Sequence, residues 1–235
     1  MKIDALTHQT LQDLPLDEVN NKGVHLIENG KYKEAVIHFI VVNSRLNERL
    51  ASAAGTMTFS AETSALLQNL AAFLIVGDER VFSVSVGSEK ALFVVRNPML
   101  ISNDINVFGY GAYFPKLFSL VAIHNLALSY HLCGLQQNSR QQLEQALIYY
   151  EAAYNLLLSQ PVVVINHTMA MLNNIGQIHS LLQNSEGAKS CFQKLLYTLM
   201  FLQQIGESER IQNWDSFFSN VMDLLAAGQL PAAAA

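Results

Sequence analysis

The sequence predicts an all-α fold of antiparallel helix pairs packed side by side, with a small β-hairpin inserted between the first pair and the second. Three observations carry that expectation. A pattern of asparagine, small residue, alanine and aromatic recurs along the chain. Glycines or polar clusters stand where the first helix of each pair must end, and one stretch between the copies changes from helical periodicity to alternation.

The pattern is read from Asn21, Gly23, Ala35 and Phe39, and Asn174, Gly176, Ala188 and Phe192 repeat its spacing without a gap. Asn125, Ala127, Ala146 and Tyr150 match its first step, and their later steps are longer. The polar run Gln136 to Gln142 supplies the extra residues and predicts a lengthened loop between the two helices. A small residue on the first helix (Gly23, Ala127, Gly176) faces one on the second (Ala35, Ala146, Ala188), so that the backbones approach closely. The aromatic one turn later fills the space beside that contact. Gly30 and Gly134 stand where the first helices are expected to stop, and Gln183, Asn184 and Ser185 take that place in the last copy.

The run Asn29-Gly30-Lys31-Tyr32-Lys33-Glu34-Ala35, with Asn125-Leu126-Ala127-Leu128-Ser129-Tyr130 and Asn173-Asn174-Ile175-Gly176, resembles tetratricopeptide (TPR) repeats. The three copies cover about 16–47, 120–158 and 169–203 of a single domain expected to span 1–235. The resemblance implies an α-α superhelix whose first helices line a concave groove, and a role in binding another protein. Two features depart from the family: Val19, Ile123 and Leu172 replace its first-helix Trp, and its closing Pro is missing from the expected places. The step from Ala127 to Gly176 also exceeds the roughly 34 residues of the family repeat, which implies extended helices or loops there.

Between the first two copies, at about 78–114, lies the predicted insert. Val81 to Val86 alternates, Gly87 to Lys90 suits a turn, and Ala91 to Val95 is β-prone. Pro98 makes Asn97 to Ile101 an extended connector, Asn103 to Tyr113 reads as loop, and a helix is expected to start near Pro115. The apolar window Leu66 to Val76 is shorter than the ~20 residues that cross a bilayer and reads as a buried helix. Near the end, Trp214, Phe217, Phe218, Val221, Leu224 and Leu225 share one helical stripe. They predict a capping helix at about 208–227 that covers the last apolar face, followed by a frayed tail from Pro231.

The totals narrow the function. With 14 basic and 19 acidic residues in 235, net charge -5, the chain lacks the cationic excess that phosphate neutralisation needs, so no nucleic-acid partner is predicted. No membrane partner is predicted either. Asp4, His8, Gln9, Gln12 and Asp13 interrupt the N-terminal apolar residues, and Cys133 and Cys191 form no disulfide framework or paired-Cys zinc motif, which fits a cytoplasmic setting.

No phosphate loop, zinc-protease helix, nucleophile elbow or acidic metal loop is present in the sequence, and no catalytic residue, metal or cofactor is predicted. The nearest approach to a metal set or an active centre is His124 with His131, seven residues apart, and Cys133, without a supporting carboxylate. The favoured reading of the two histidines is a polar stripe facing the groove. His25, His38 and His167 are scattered singly, and His179 takes the place of the repeat's usual aromatic. Asn21, Asn125 and Asn174 are more informative, because each holds the same interior position of its repeat although Asn is a mediocre helix former. A primary amide offers both a donor and an acceptor and so can pair with a ligand's main chain whatever its side chains. The alternative role is a hydrogen bond to a neighbouring turn. The candidate partner-binding set is Asn20, Asn21, His124, Asn125, His131, Asn173, Asn174 and Gln177. The positions where carboxylate-binding relatives carry groove cations hold Asp17, Asn20, Val24, Val121, Ala170 and Asn174, so a terminal-carboxylate clamp is not expected. Two rivals to a peptide or protein partner stay open: a self-associating scaffold packed through the apolar stretch Leu66 to Val95, hence a homo-oligomer, and a metal protein or enzyme centred on His124 and His131.

Overall fold

The computed structural model describes residues 10–53, 94–96, 98–100, 114–158, 165–211 and 214–226. Among these every regular element is a helix, which agrees with the all-α expectation. The predicted hairpin strands up to residue 93, the window Leu66 to Val76, the loop Asn103 to Tyr113 and the tail lie outside the described residues. By its contacts the chain divides into two compact units, one of residues 1–78 and 98–162 and the other of residues 79–97 and 163–235, where the sequence reading expects one body.

The first unit holds α1 (Leu16–Glu28), α2 (Tyr32–Ala53), α3 (Phe114–Gln137) and α4 (Arg140–Leu158), each packed on the next. α1 stops where the sequence places the stop. Gly30 takes φ +72°, a conformation open to a residue without Cβ, while its N–H reaches the Ile27 carbonyl at 2.9 Å and the Lys31 N–H reaches Leu26 at 2.8 Å. Two antiparallel helices joined by so short a turn must bury their facing stripes against each other. Leu16 and Val19 of α1 do so with Val41, Val42 and Leu46 of α2 and with Phe118, Val121 and Ala122 of α3. Arg45 Nη1 donates to the carbonyls of Leu11 and Leu14 at 3.2 and 2.7 Å and fixes the chain entering α1.

The repeat register is visible in the packing, with one correction. Ala35, Ala146 and Ala188 are fully buried. The small residue of the first helix, however, faces the aromatic itself rather than leaving it to one side. A Cβ built on Gly23 would lie 2.7 Å from the Phe39 ring.

α3 packs against both α2 and α4, and a helix enclosed on two sides is apolar nearly all round. Its span Phe118–Gln137 is long and apolar enough to cross a membrane by length and composition, and 83% of it is buried within this structure. The lengthened loop expected at Gln136 to Gln142 is not formed. The extra residues extend the helices, α3 continuing to Gln137 and α4 starting at Arg140, and the turn is made by Asn138 at φ 48°. Gly134 is therefore no helix stop: it sits inside α3, where a Cβ would meet the Leu143 side chain at 2.8 Å.

The second unit holds α5 (Ile165–Leu181), α6 (Ser185–Gln204), a short 3-10 turn (Ser208–Arg210) and α7 (Trp214–Ala226). Gln183 turns the chain at φ 62°, and Asn184 caps α6 by accepting the Gly187 N–H at 3.0 Å. Phe192 packs on Gly176 as Phe39 does on Gly23, a Cβ at Gly176 standing 2.6 Å from the ring. α7 lies against α5 and α6 and buries Phe217 and Val221. Phe218, placed on the same stripe by the sequence, is 42% exposed, so the buried face is narrower than expected.

Candidate functional site

Asparagine in the middle of a helix turns its amide outward from the helix, because the helix's own carbonyls and N–H groups are already paired. Asn125, at the centre of α3, is fully buried and spends that amide on one residue of a non-helical segment. Its Oδ1 accepts the Met99 N–H at 2.8 Å, and its Nδ2 donates to the Met99 carbonyl at 2.8 Å. The pairing reproduces what a residue in an antiparallel sheet receives from the strand opposite. Asn20 of α1 completes this cluster, donating from Nδ2 to the same carbonyl at 3.0 Å and accepting from Asn125 Nδ2 at 3.2 Å.

The second unit contains the same device on a different residue. Asn174, at the centre of α5, accepts the Val95 N–H at 3.0 Å and donates to the Val95 carbonyl at 2.9 Å. Asn173 supports it as Asn20 supports Asn125: Asn173 Nδ2 donates to Asn174 Oδ1 at 3.2 Å, and Asn173 Oδ1 accepts from Asn220 Nδ2 of α7 at 2.6 Å. Val95 and Met99, the two residues held by their main chains, stand in a stretch that contains Pro98.

The candidate residues thus separate. Asn20 and Asn125 are brought together in the first unit, Asn173 and Asn174 in the second. Asn21 is not the residue that joins Asn125. It accepts from Asn20 Nδ2 at 3.2 Å and lines a surface hollow of about 400 Å³ with Pro15, Asp17, Glu18, Lys22 and His25. Gln177, one turn beyond Asn174, is buried with neither amide atom hydrogen-bonded.

His124 and His131 do not form an open polar stripe. Both are buried, and their rings meet the edge of Tyr150 of α4 at centroid distances of 5.7 and 6.0 Å, so they belong to the packing of α3 on α4. Cys133 is buried beside them on α3, accepts from Gln137 Nε2 at 2.7 Å, and its thiol is pushed up by burial, which keeps it protonated. Among the described residues no group of three or more His, Cys, Asp or Glu side chains stands together as a metal site would require. The histidine driven furthest from its ordinary value is His167 at the start of α5, which burial lowers to about 4.

One participant escaped sequence reading. Asn220 sits on α7 between the buried Phe217 and Val221 and reaches Asn173 as Asn125 reaches Asn20. Its signal was the same asparagine on an apolar helix, obscured because Met222 stands where the other copies carry a small residue. No protein-family profile, curated protein or solved structure matches this chain.

Proposed function

We propose that the protein is a TPR-like interaction module, without catalytic activity, that holds an extended segment of another protein by its main chain. Asn125 supplies the contact in the first unit and Asn174 in the second. The supporting observation is that each amide engages both the N–H and the C=O of a single non-helical residue. Such a contact reads backbone conformation rather than side-chain identity, and strand-like peptide recognition uses the same groups. The test is an array of extended peptides screened with the parent, followed by affinity measurement on those that bind. Replacing both Asn125 and Asn174 by Ala removes up to four hydrogen bonds, each worth about 1 kcal/mol, and is expected to weaken binding about a hundredfold or more. Unchanged affinity in a double variant that remains folded would leave the asparagines with a structural role alone. The same substitutions also lower the melting temperature, since both amides are buried against the chain's own backbone.

A second reading, self-association, has one observation in its favour. Tyr197 and Phe201 on α6, with Ile205 at its end, recur four residues apart and are 67%, 55% and 50% exposed. Light scattering decides it: a mass independent of concentration, unaltered by Phe201→Glu, excludes a dimer built on this stripe.

A further inference from the structure

We infer that residues 94–100 are an internal occupant of the asparagine contacts, and that a partner is taken by exchange: an extended, largely aliphatic segment displaces Val95 from Asn174 and Met99 from Asn125. The inference rests on the peptide-binding reading above and adds to it the state of the free protein and the chemistry of the ligand.

The four bonds that hold the internal segment go to main-chain atoms, so any extended residue with an N–H can replace Val95 or Met99 in them. What else the site accepts is read from the occupant. Val94 and Val95 are both buried, and Met99 packs against the core of the first unit, whereas Leu100 is exposed. A charged side chain in the place of Val94, Val95 or Met99 would lose water without gaining a partner, which limits the ligand to aliphatic residues there. The internal segment also leaves hydrogen-bonding capacity unused. Gln177 is buried one turn from Asn174 with no partner for either amide atom, and a segment that reaches it forms bonds the present occupant does not. Because the occupant belongs to the same chain, it competes at a high effective concentration, and the apparent affinity for a free segment falls by the fraction of molecules in which the site is open.

An end-capped, fluorescent peptide with the sequence of residues 92–102 is titrated into the full chain and into the Val95→Pro/Met99→Pro variant. Proline lacks the N–H that each asparagine accepts, so the variant's own segment is a poorer competitor. The variant is expected to bind the peptide at least tenfold more tightly than the parent, and Asn125→Ala with Asn174→Ala in the same background is expected to abolish binding. Equal affinity for parent and proline variant overturns internal occupancy while the peptide-binding reading stands. Saturating peptide that binds neither folded chain overturns both. Hydrogen exchange on the parent gives an answer that does not depend on the variant folding. Excess unlabelled peptide is expected to speed exchange at the Val95 and Met99 amides, and unchanged rates at both overturn the exchange mechanism.

Discussion

A buried polar side chain records what its surroundings can supply, and Gln177 and His167 do so in opposite ways. Gln177 keeps a full amide inside the second unit without a hydrogen bond, a desolvation cost of about 1–3 kcal/mol. Gln177→Met preserves length and removes the polar group, so it is expected to stabilise the protein by about 1 kcal/mol in urea unfolding. A loss of stability would mean that the amide is satisfied in solution. His167 avoids its cost by staying neutral. Its folded value of about 4 lies below the ordinary 6.5, so between these pH values the unfolded chain binds the extra proton and folding weakens as pH falls. Nothing is lost above pH 6.5. From pH 7.5 to pH 5 the contribution amounts to about 2 kcal/mol of lost stability, and His167→Asn, which cannot take up the proton, is expected to remove that part of the slope. Identical slopes for parent and variant would place the imidazole in contact with water.

At the scale of the helix pair, the aromatic that packs on a glycine sets how closely the two axes approach. Gly→Ala inside a helix ordinarily stabilises by roughly 0.5–1 kcal/mol. At Gly176 the added Cβ would meet Phe192 ring atoms at 2.6 to 2.9 Å, so Gly176→Ala is expected instead to destabilise by about 1–3 kcal/mol, and Ala188→Leu by a similar amount through overpacking. A stabilising Gly176→Ala would show that the ring moves aside freely. The positions of these residues were legible because spacing along a helix fixes which side chains share a face. Gly30 was legible as a stop because a left-handed turn selects its residue type. Gly134 was misread for the same reason in reverse: a glycine that admits a neighbour's side chain and one that ends a helix are the same letter. The roles of Asn125 and Asn174 were legible as chemistry, a donor and an acceptor at a repeated site. Their occupant was not, since nothing in periodicity says that residues from another part of the chain lie against that face. The exchange of Asn21 for Asn20 beside Asn125 had no signal, because adjacent residues on a helix differ by only about 100° in direction.

For the molecule as a whole, the division into two units raises the question of whether they open together, and the two buried cysteines make it measurable. Cys133 is in α3 of the first unit and Cys191 in α6 of the second, and both are buried, so a thiol reagent reaches either one only when its surroundings open. Variants Cys133→Ser and Cys191→Ser each leave one of these reporters. Labelling of both is expected to be slow in native buffer and to follow the local free energy of opening rather than thiol chemistry, since burial already holds the Cys133 thiol protonated. A destabilising change confined to the second unit then separates local from global opening. Gly176→Ala crowds Phe192, which lies in that unit and next to Cys191 in sequence. If the units open separately, it accelerates labelling at Cys191 by about the factor its destabilisation implies, roughly tenfold for each 1.4 kcal/mol, and leaves Cys133 near its parental rate. Gly23→Ala, which crowds Phe39 in the first unit, is expected to produce the reverse pattern. Equal acceleration at both cysteines by either substitution would show that the two units unfold as one.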